Sequence, residues 1–304
     1  MPSVPTTPAT TLDALVDLLR DRRIAVLVGA GLSTDSGIPD YRGPGKRHRK
    51  RSPIQYDDFV RSTAARQRYW ARASRGWPRV AQAQPNAGHR ALARLDAAGR
   101  LTGTITQNVD GLDRAARVLE GGMNDGTAFN GTASHAPVID LHGQLSDVVC
   151  LTCERVYGRT DVQQWIADLN PGHLESLDAA NREGDLLAPD GDFELDEAAV
   201  ARFVPPTCPV CGGALKPDVV FFGESVPKPR VGEAQALVAE ADALLVVGSS
   251  LAVYSGYRFV RQADKANIPV AIVTLGETRG HRHAAVAVDA PLGEVLPALA
   301  DRLL

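Results

Sequence analysis

Apolar residues at Leu12, Leu15, Val16, Leu18 and Leu19 recur at helical spacing across residues 12–22. The pattern then changes to an unbroken apolar run, Ile24–Val28, stopped by Gly29-Ala30-Gly31. That change of period predicts a helix, a strand buried on both faces and a glycine-rich turn. Further buried-strand candidates are Leu101–Thr106, Ala243–Val247 and Val270–Leu275, with helical stretches at Gly88–Ala98 and Val231–Ala241. Residues 138–142 read as one more strand, ending in His142. Such strands, alternating with helices, pair in parallel and carry helices on both faces. The expected fold class is α/β, on a doubly wound parallel sheet.

Two stretches break the rhythm. Residues 44–84 are rich in arginine and aromatic residues and read as helical. Residues 149–215 hold all four cysteines, as two C-x-x-C pairs: Cys150 with Cys153, and Cys208 with Cys211. Each pair brings two thiolates to one tight turn, the geometry that supplies two sulfurs to a tetrahedral ion. Two disulfides or a redox C-x-x-C are the alternatives. The first is disfavoured without a secretion signal, and the second needs only one pair. The pattern points to one structural zinc with all four positions filled by sulfur, leaving none open for catalysis.

A length of 304 residues, at about 150 per domain, suggests two domains or one domain with insertions. The expected layout is a tail over residues 1–11 and a Rossmann-like domain from 12–43, 85–148 and 216–304. A smaller lobe is expected from the helical insertion 44–84 and the zinc-binding module 149–215. Residues 121–135 read as a Gly/Asn/Thr-rich loop. A net charge of −3 gives no global basic footprint for nucleic acid. Residues 154–207 add 12 acidic side chains against four arginines, which argues against a DNA-reading zinc ribbon. The basic run Lys46–Arg51 is expected to be a solvated loop rather than a nucleic-acid site. No apolar run reaches the roughly 18 residues of a membrane span. The N-terminal residues have neither a signal-peptide nor a transit-peptide pattern, so a cytoplasmic protein is expected.

The candidate chemistry gathers at predicted strand ends, where open α/β sheets bind ligands. Gly29-Ala30-Gly31-Leu32-Ser33-Thr34 begins like a dinucleotide turn, in which small residues let backbone N–H groups approach a pyrophosphate. An irregular loop with a Pro and an Asp-x-Arg pair, Asp35–Gly43, follows it. Thr106-Gln107-Asn108-Val109-Asp110 offers partners for ribose hydroxyls or a carboxamide. His142 is the side chain best able to take a proton near neutral pH. Gly248, Ser249 and Ser250 form a small polar turn after the strand Ala243–Val247.

These pieces together resemble a sirtuin. The resemblance rests on residues 29–42, 106–110, Leu141-His142-Gly143, both C-x-x-C pairs, residues 215–224 and residues 246–250, in the family's order. Residues 66–72, 188–192 and 249–258 are similar to the class II branch, which includes a mitochondrial member described as lipoamidase, deacylase and ADP-ribosyltransferase. The resemblance implies NAD as cofactor, zinc as a structural ion and acyl-lysine proteins as substrates. It places Gly29, Ala30, Gly31, Ser33 and Arg42 on the NAD phosphates and ribose. Ile38, Pro39, Asp40 and Tyr41 border the nicotinamide pocket, with Gln107, Asn108 and Asp110 on the carboxamide and ribose. Gly248, Ser249, Ser250 and the turn Thr274-Leu275-Gly276 serve the adenosine side.

Val220, Phe221 and Gly223 would form a strand that clamps the substrate peptide, and His142 would be the general base. The implied reaction is deacylation of lysine with release of nicotinamide and O-acyl-ADP-ribose. Mono-ADP-ribosyl transfer to protein, or a weakly catalytic NAD-binding regulatory module, are the alternatives. Three residues depart from the common family pattern: Asp113 for His, Tyr41 for Phe and Thr274 for Asn. Tyr69 and Arg72 have the Y-x-x-R spacing that resembles a clamp for acidic acyl groups in another sirtuin branch; a core Tyr beside a surface Arg fits equally.

Overall fold

The computed structural model describes residues 11–40, 53–121, 136–172 and 197–304. Tyr41, Arg42, the basic run 46–51, the loop 122–135 and the stretch 173–196 lie outside the described residues.

Six strands form a parallel sheet: β1 (Ile24–Val28), β2 (Leu101–Thr106), β3 (Val138–Asp140), β7 (Ala243–Val247), β8 (Val270–Val273) and β9 (Ala284–Val288), in the order β3-β2-β1-β7-β8-β9. Every residue of β1, β7 and β8 is buried, which is why these strands are unbroken apolar runs without alternation. One face packs on α1 (Leu12–Leu19), α4 (Ala87–Ala97) and α10 (Leu292–Leu303), through residues such as Leu15, Leu95 and Leu296. The other packs on α8 (Lys228–Ala239) and α9 (Tyr254–Lys265), through Val238, Tyr257 and Phe259. The chain leaves β1 toward β2 on one side and returns to β7 on the other. The order in which strands are added thus reverses beside β1, and the crevice beyond the carboxyl ends at such a point is where these sheets bind ligands.

A second sheet is antiparallel, in the order β5-β4-β6, from β4 (Gly143–Cys150), β5 (Val156–Gly158) and β6 (Leu215–Val219). It therefore extends past residues 149–215 at both ends. Its core is shared with α2 (Tyr56–Arg61), α3 (Thr63–Gln82) and α6 (Arg159–Leu169), through Phe59, Trp70, Val148, Ile166 and Phe203. The helical insertion and the cysteine module thus bury one common apolar cluster. Two further helices are α5 (Leu112–Gly121) after β2 and α7 (Glu197–Arg202). Among the described residues, no helix is long and apolar enough to cross a membrane.

Three expected strand ends move. β8 stops at Val273, so Leu275 and Gly276 lie in an exposed turn, where Gly276 takes φ 77° and donates its N–H to Asp289 Oδ1 at 2.9 Å. β3 stops at Asp140, two residues before His142. β6 stops at Val219, so Val220, Phe221 and Gly223 are not part of a regular strand. Pairing there is reduced to one isolated parallel bridge between Phe222 and Gln55, and Gly223 turns the chain away with φ 83°.

Candidate active site

Gly29 ends β1, and the chain then winds into a 3-10 helix, Ala30–Ser36, closed by Gly37 in the left-handed region at φ 81°. This turn interlocks with the one after β7. A Cβ on Gly29 would stand 2.7 Å from the Gly248 carbonyl oxygen, and one on Gly31 2.9 Å from the Gly248 Cα. The glycines are therefore required by the contact between the two loops. Ile38 is buried behind this turn, while Pro39 and Asp40 are partly exposed at its rim.

The loop after β2 is tied to the same turn. Asn108 Nδ2 donates to the Gly29 carbonyl at 3.2 Å and to Ser33 Oγ at 3.1 Å, and Ser33 Oγ donates to Asp110 Oδ2 at 2.7 Å. Leu112 N–H reaches Asp110 Oδ1 at 2.9 Å. Gln107 Nε2 donates to Ser249 Oγ at 2.8 Å, which joins the loop to β7. Ser250 accepts at its carbonyl from Arg279 N–H at 3.2 Å, so the stretch after Thr274 folds back onto the β7 turn. The structure thus brings Gly29, Ala30, Gly31, Ser33, Asn108, Asp110, Gly248, Ser249 and Ser250 to one sheet edge. Burial, and then the charge of Asp113, raise the Asp110 carboxyl above the usual carboxylate range.

His142 stands at the seam between the two sheets, between β3 and β4. Its Nδ1 lies 3.0 Å from the Gln107 carbonyl oxygen and its Nε2 lies 2.9 Å from Ser255 Oγ. A carbonyl only accepts, so Nδ1 carries the ring proton and Nε2 keeps its lone pair. Burial lowers the imidazole pKa below 6.5, against the raising effect of the Gln107 carbonyl; Arg230 and Arg258 lower it further. The ring is neutral near pH 7, the form a proton acceptor needs. The His142 carbonyl also accepts from Val220 N–H at 2.8 Å. Gly143 makes this junction feasible: it takes φ 80°, and a Cβ there would lie 1.8 Å from the Asp218 carbonyl oxygen.

The stretch from Val220 to Gly223 borders the same seam. Phe221 packs on the rings of Phe59 and Tyr69, at centroid distances of 5.2 and 5.3 Å. Tyr69 is itself buried against Phe59 and Trp70, and Arg72 follows one helical turn later, partly buried. A buried ion pair, Lys216 Nζ to Glu224 at 3.0 Å, fixes the bend, with Glu224 Oε2 accepting from Phe221 N–H at 2.8 Å.

Two contributors escaped the sequence reading. His89 is buried and closes a capping box on Asn86 at the start of α4, with Nδ1 accepting from Asn86 N–H at 3.3 Å. Its Nε2 has no hydrogen-bond partner among the described residues, and burial lowers its pKa to about 4, against the raising effects of Asp110 and Asp35. The spacing Asn86-x-x-His89 was the available signal. Ser255 had none, since its partner is remote in sequence.

The four cysteines form one cluster, with all Sγ atoms within 4.8 Å of one another and none in a disulfide. Cys150 and Cys211 are 3.5 Å apart and Cys153 and Cys208 3.8 Å apart. Sulfurs placed about 2.3 Å from a tetrahedral zinc stand about 3.8 Å from each other, so the donor set fits that ion. The cradle at the sheet edge fits a dinucleotide. It offers glycine turns, amide and hydroxyl donors, a buried carboxyl and the orphaned His89 Nε2 beside Asp110.

Residues 29–255 match the Sir2 family. An NAD-dependent protein deacetylase 1 of Mycobacterium avium (strain 104) is 48% identical over 289 residues, covering 95% of this chain and 94% of the relative. The NAD-dependent protein deacylase Sirt4 of Drosophila melanogaster is 43% identical over 287 residues, covering 93% and 84%. A solved Sir2–p53 peptide–NAD+ complex superposes with a TM-score of 0.69 at 28% identity, covering 96% of this chain and 98% of that one. Another Sir2 structure, bound to a propionylated peptide, gives 0.70 at 27% identity over 96% and 98%. The interlocked glycine turns, the buried Asn108–Ser33–Asp110 cluster and the half-turn that presents His142 all lie within the matched span, and the chain belongs to the Sir2 family.

Proposed function

We propose that the protein is an NAD-dependent protein-lysine deacylase that yields free lysine, nicotinamide and O-acyl-ADP-ribose, an acyl transfer to ADP-ribose. The observation that carries this reading is His142, held neutral with Nε2 as its proton-accepting nitrogen, beside the buried Asn108–Ser33–Asp110 cluster. NAD, when bound, supplies an electrophilic sugar carbon once nicotinamide departs. The turn Gly29–Ser33 and the Gly248–Ser250 turn would hold its phosphates and adenosine side. Asn108 and Asp110 would orient the nicotinamide ribose and carboxamide. Their mutual hydrogen bonds fix them in place beforehand, so little ordering remains at the moment of binding. His142 takes a hydroxyl proton at Nε2, while the Gln107 carbonyl holds the charge that develops on the ring.

Val220–Gly223 would receive the substrate backbone beside the base, although its pairing is a bridge rather than a strand. The zinc site holds the small lobe and stands apart from the chemistry. A place in the class II branch rests on the resemblance of residues 66–72, 188–192 and 249–258, and one relative, 43% identical, is named a deacylase. The test is mass spectrometry of the products of NAD across a panel of acyl-lysine peptides, with His142→Tyr as control. Nicotinamide release that depends on the peptide and is accompanied by O-acyl-ADP-ribose is expected. ADP-ribose attached to protein instead would replace deacylation with ADP-ribosyl transfer.

A further inference from the structure

Nε2 of His142 faces the hydroxyl of Ser255 at 2.9 Å, in the first turn of α9. The other ring nitrogen is fixed as a donor by the Gln107 carbonyl, so the Ser255 hydroxyl must be the donor to Nε2. The two elements that grip the ring also touch each other. A Cβ on Gly256 would stand 2.3 Å from Gln107 Oε1, so the start of α9 is pressed against the loop that carries Gln107, Asn108 and Asp110. Ser255 is partly exposed, and the cations Arg230 and Arg258 act on His142 from α8 and α9.

We infer that Ser255 is a catalytic proton relay, which passes the proton of the reacting hydroxyl to His142. This inference rests on the reading of His142 as the general base. In the step, the reacting hydroxyl gives its proton to Ser255 Oγ while the Ser255 O–H bond breaks and its proton goes to Nε2. The electron pair stays on the reactant oxygen, Ser255 ends neutral as it began, and His142 ends as an imidazolium with both nitrogens protonated. The resulting charge sits between the Gln107 carbonyl and the Ser255 oxygen, each able to accept from the ring.

Ser255→Ala, Ser255→Thr and His142→Ala answer the question together. In the relay, Ser255→Ala lowers deacylation turnover by about a hundredfold, the low end of what general acid–base catalysis contributes. Peptide-dependent nicotinamide exchange, which precedes the proton transfer, stays near wild type, and Ser255→Thr restores turnover. Without any cofactor present, 15N spectra of the imidazole should show Nδ1 protonated in wild type, and Ser255→Ala should shift Nε2 while leaving Nδ1 in place. The solvent-isotope proton inventory of wild-type deacylation should curve, as for two protons in flight. A linear inventory, or full turnover in Ser255→Ala while His142→Ala is inactive, overturns the relay. Full turnover in His142→Ala overturns the general-base reading itself, so the two failures are distinct.

Discussion

Trp70 Nε1 donates to the Leu215 carbonyl at 3.0 Å, a buried bond between α3 and β6. It joins segments 145 positions apart and makes the helical insertion and the cysteine module one lobe. Trp70→Phe keeps most of the ring but leaves the Leu215 carbonyl unpaired in an apolar cluster. A loss of about 1–3 kcal/mol in stability is expected, measured by chemical denaturation. An unchanged midpoint would mean that the bond contributes nothing net.

One zinc per chain is expected by elemental analysis. Replacing any of Cys150, Cys153, Cys208 or Cys211 with Ser should release it and unfold the small lobe, because structural zinc sites contribute on the order of 10 kcal/mol. Chelation should act the same way, slowly. Retention of metal and melting temperature in a Cys211→Ser protein would exclude the four-sulfur site.

His142→Ala is expected to lower deacylation by about 10²–10⁴-fold while the protein still binds NAD, read by calorimetry. Because burial depresses the pKa of His142 below 6.5, wild-type activity should persist on the acid side of that value. An acid limb centred above 6.5 would contradict a desolvated base.

Asp113 titrates in the opposite sense. Burial raises its carboxyl to about 6 from 3.8, against the lowering effects of the Thr106 hydroxyl, Arg117 and Arg114, with Asp140 adding to the rise. The folded state therefore holds a proton that the unfolded chain has released, and stability falls as pH rises from about 4 through 6. His89, depressed to about 4, contributes the reverse slope between about 4 and 6.5. The difference curve between wild type and Asp113→Asn isolates the carboxyl. The variant should be the more stable by up to about 3 kcal/mol above pH 7, converging with wild type below pH 4. A pH-independent difference would place the Asp113 pKa near its unfolded value.

Tyr69 packs on Phe221, and Arg72 follows one turn along α3. A carboxylate-bearing acyl chain entering beside Phe221 is expected to use that guanidinium. Arg72→Met should then lower turnover of succinyl- and glutaryl-lysine peptides more than of acetyl-lysine peptides. Equal losses on all three would assign Tyr69 and Arg72 to packing alone.

The bounds of β1 and β7 were legible because their residues are buried on both faces, so the apolar run and the strand coincide. The cysteine cluster was legible from spacing, since a tetrahedral ion leaves the chain little choice. The strand expected over Val220–Gly223 is not there because Phe221 turns into the aromatic cluster of α2 and α3, which leaves only the Phe222–Gln55 bridge. Such a run looks the same in sequence whichever neighbour covers it. Ser255 was hidden for another reason: a hydrogen bond across the sheet seam is set by three-dimensional register, to which no local pattern corresponds.

The bond from Val220 N–H to the His142 carbonyl has a mechanical outcome. Whatever docks on the segment after β6 pulls on the same peptide unit that carries the imidazole. A guest chain that grips loosely should be processed slowly as well as held weakly. Selectivity among protein targets would then be read in turnover, through the stiffness of one two-residue joint, and not in affinity alone.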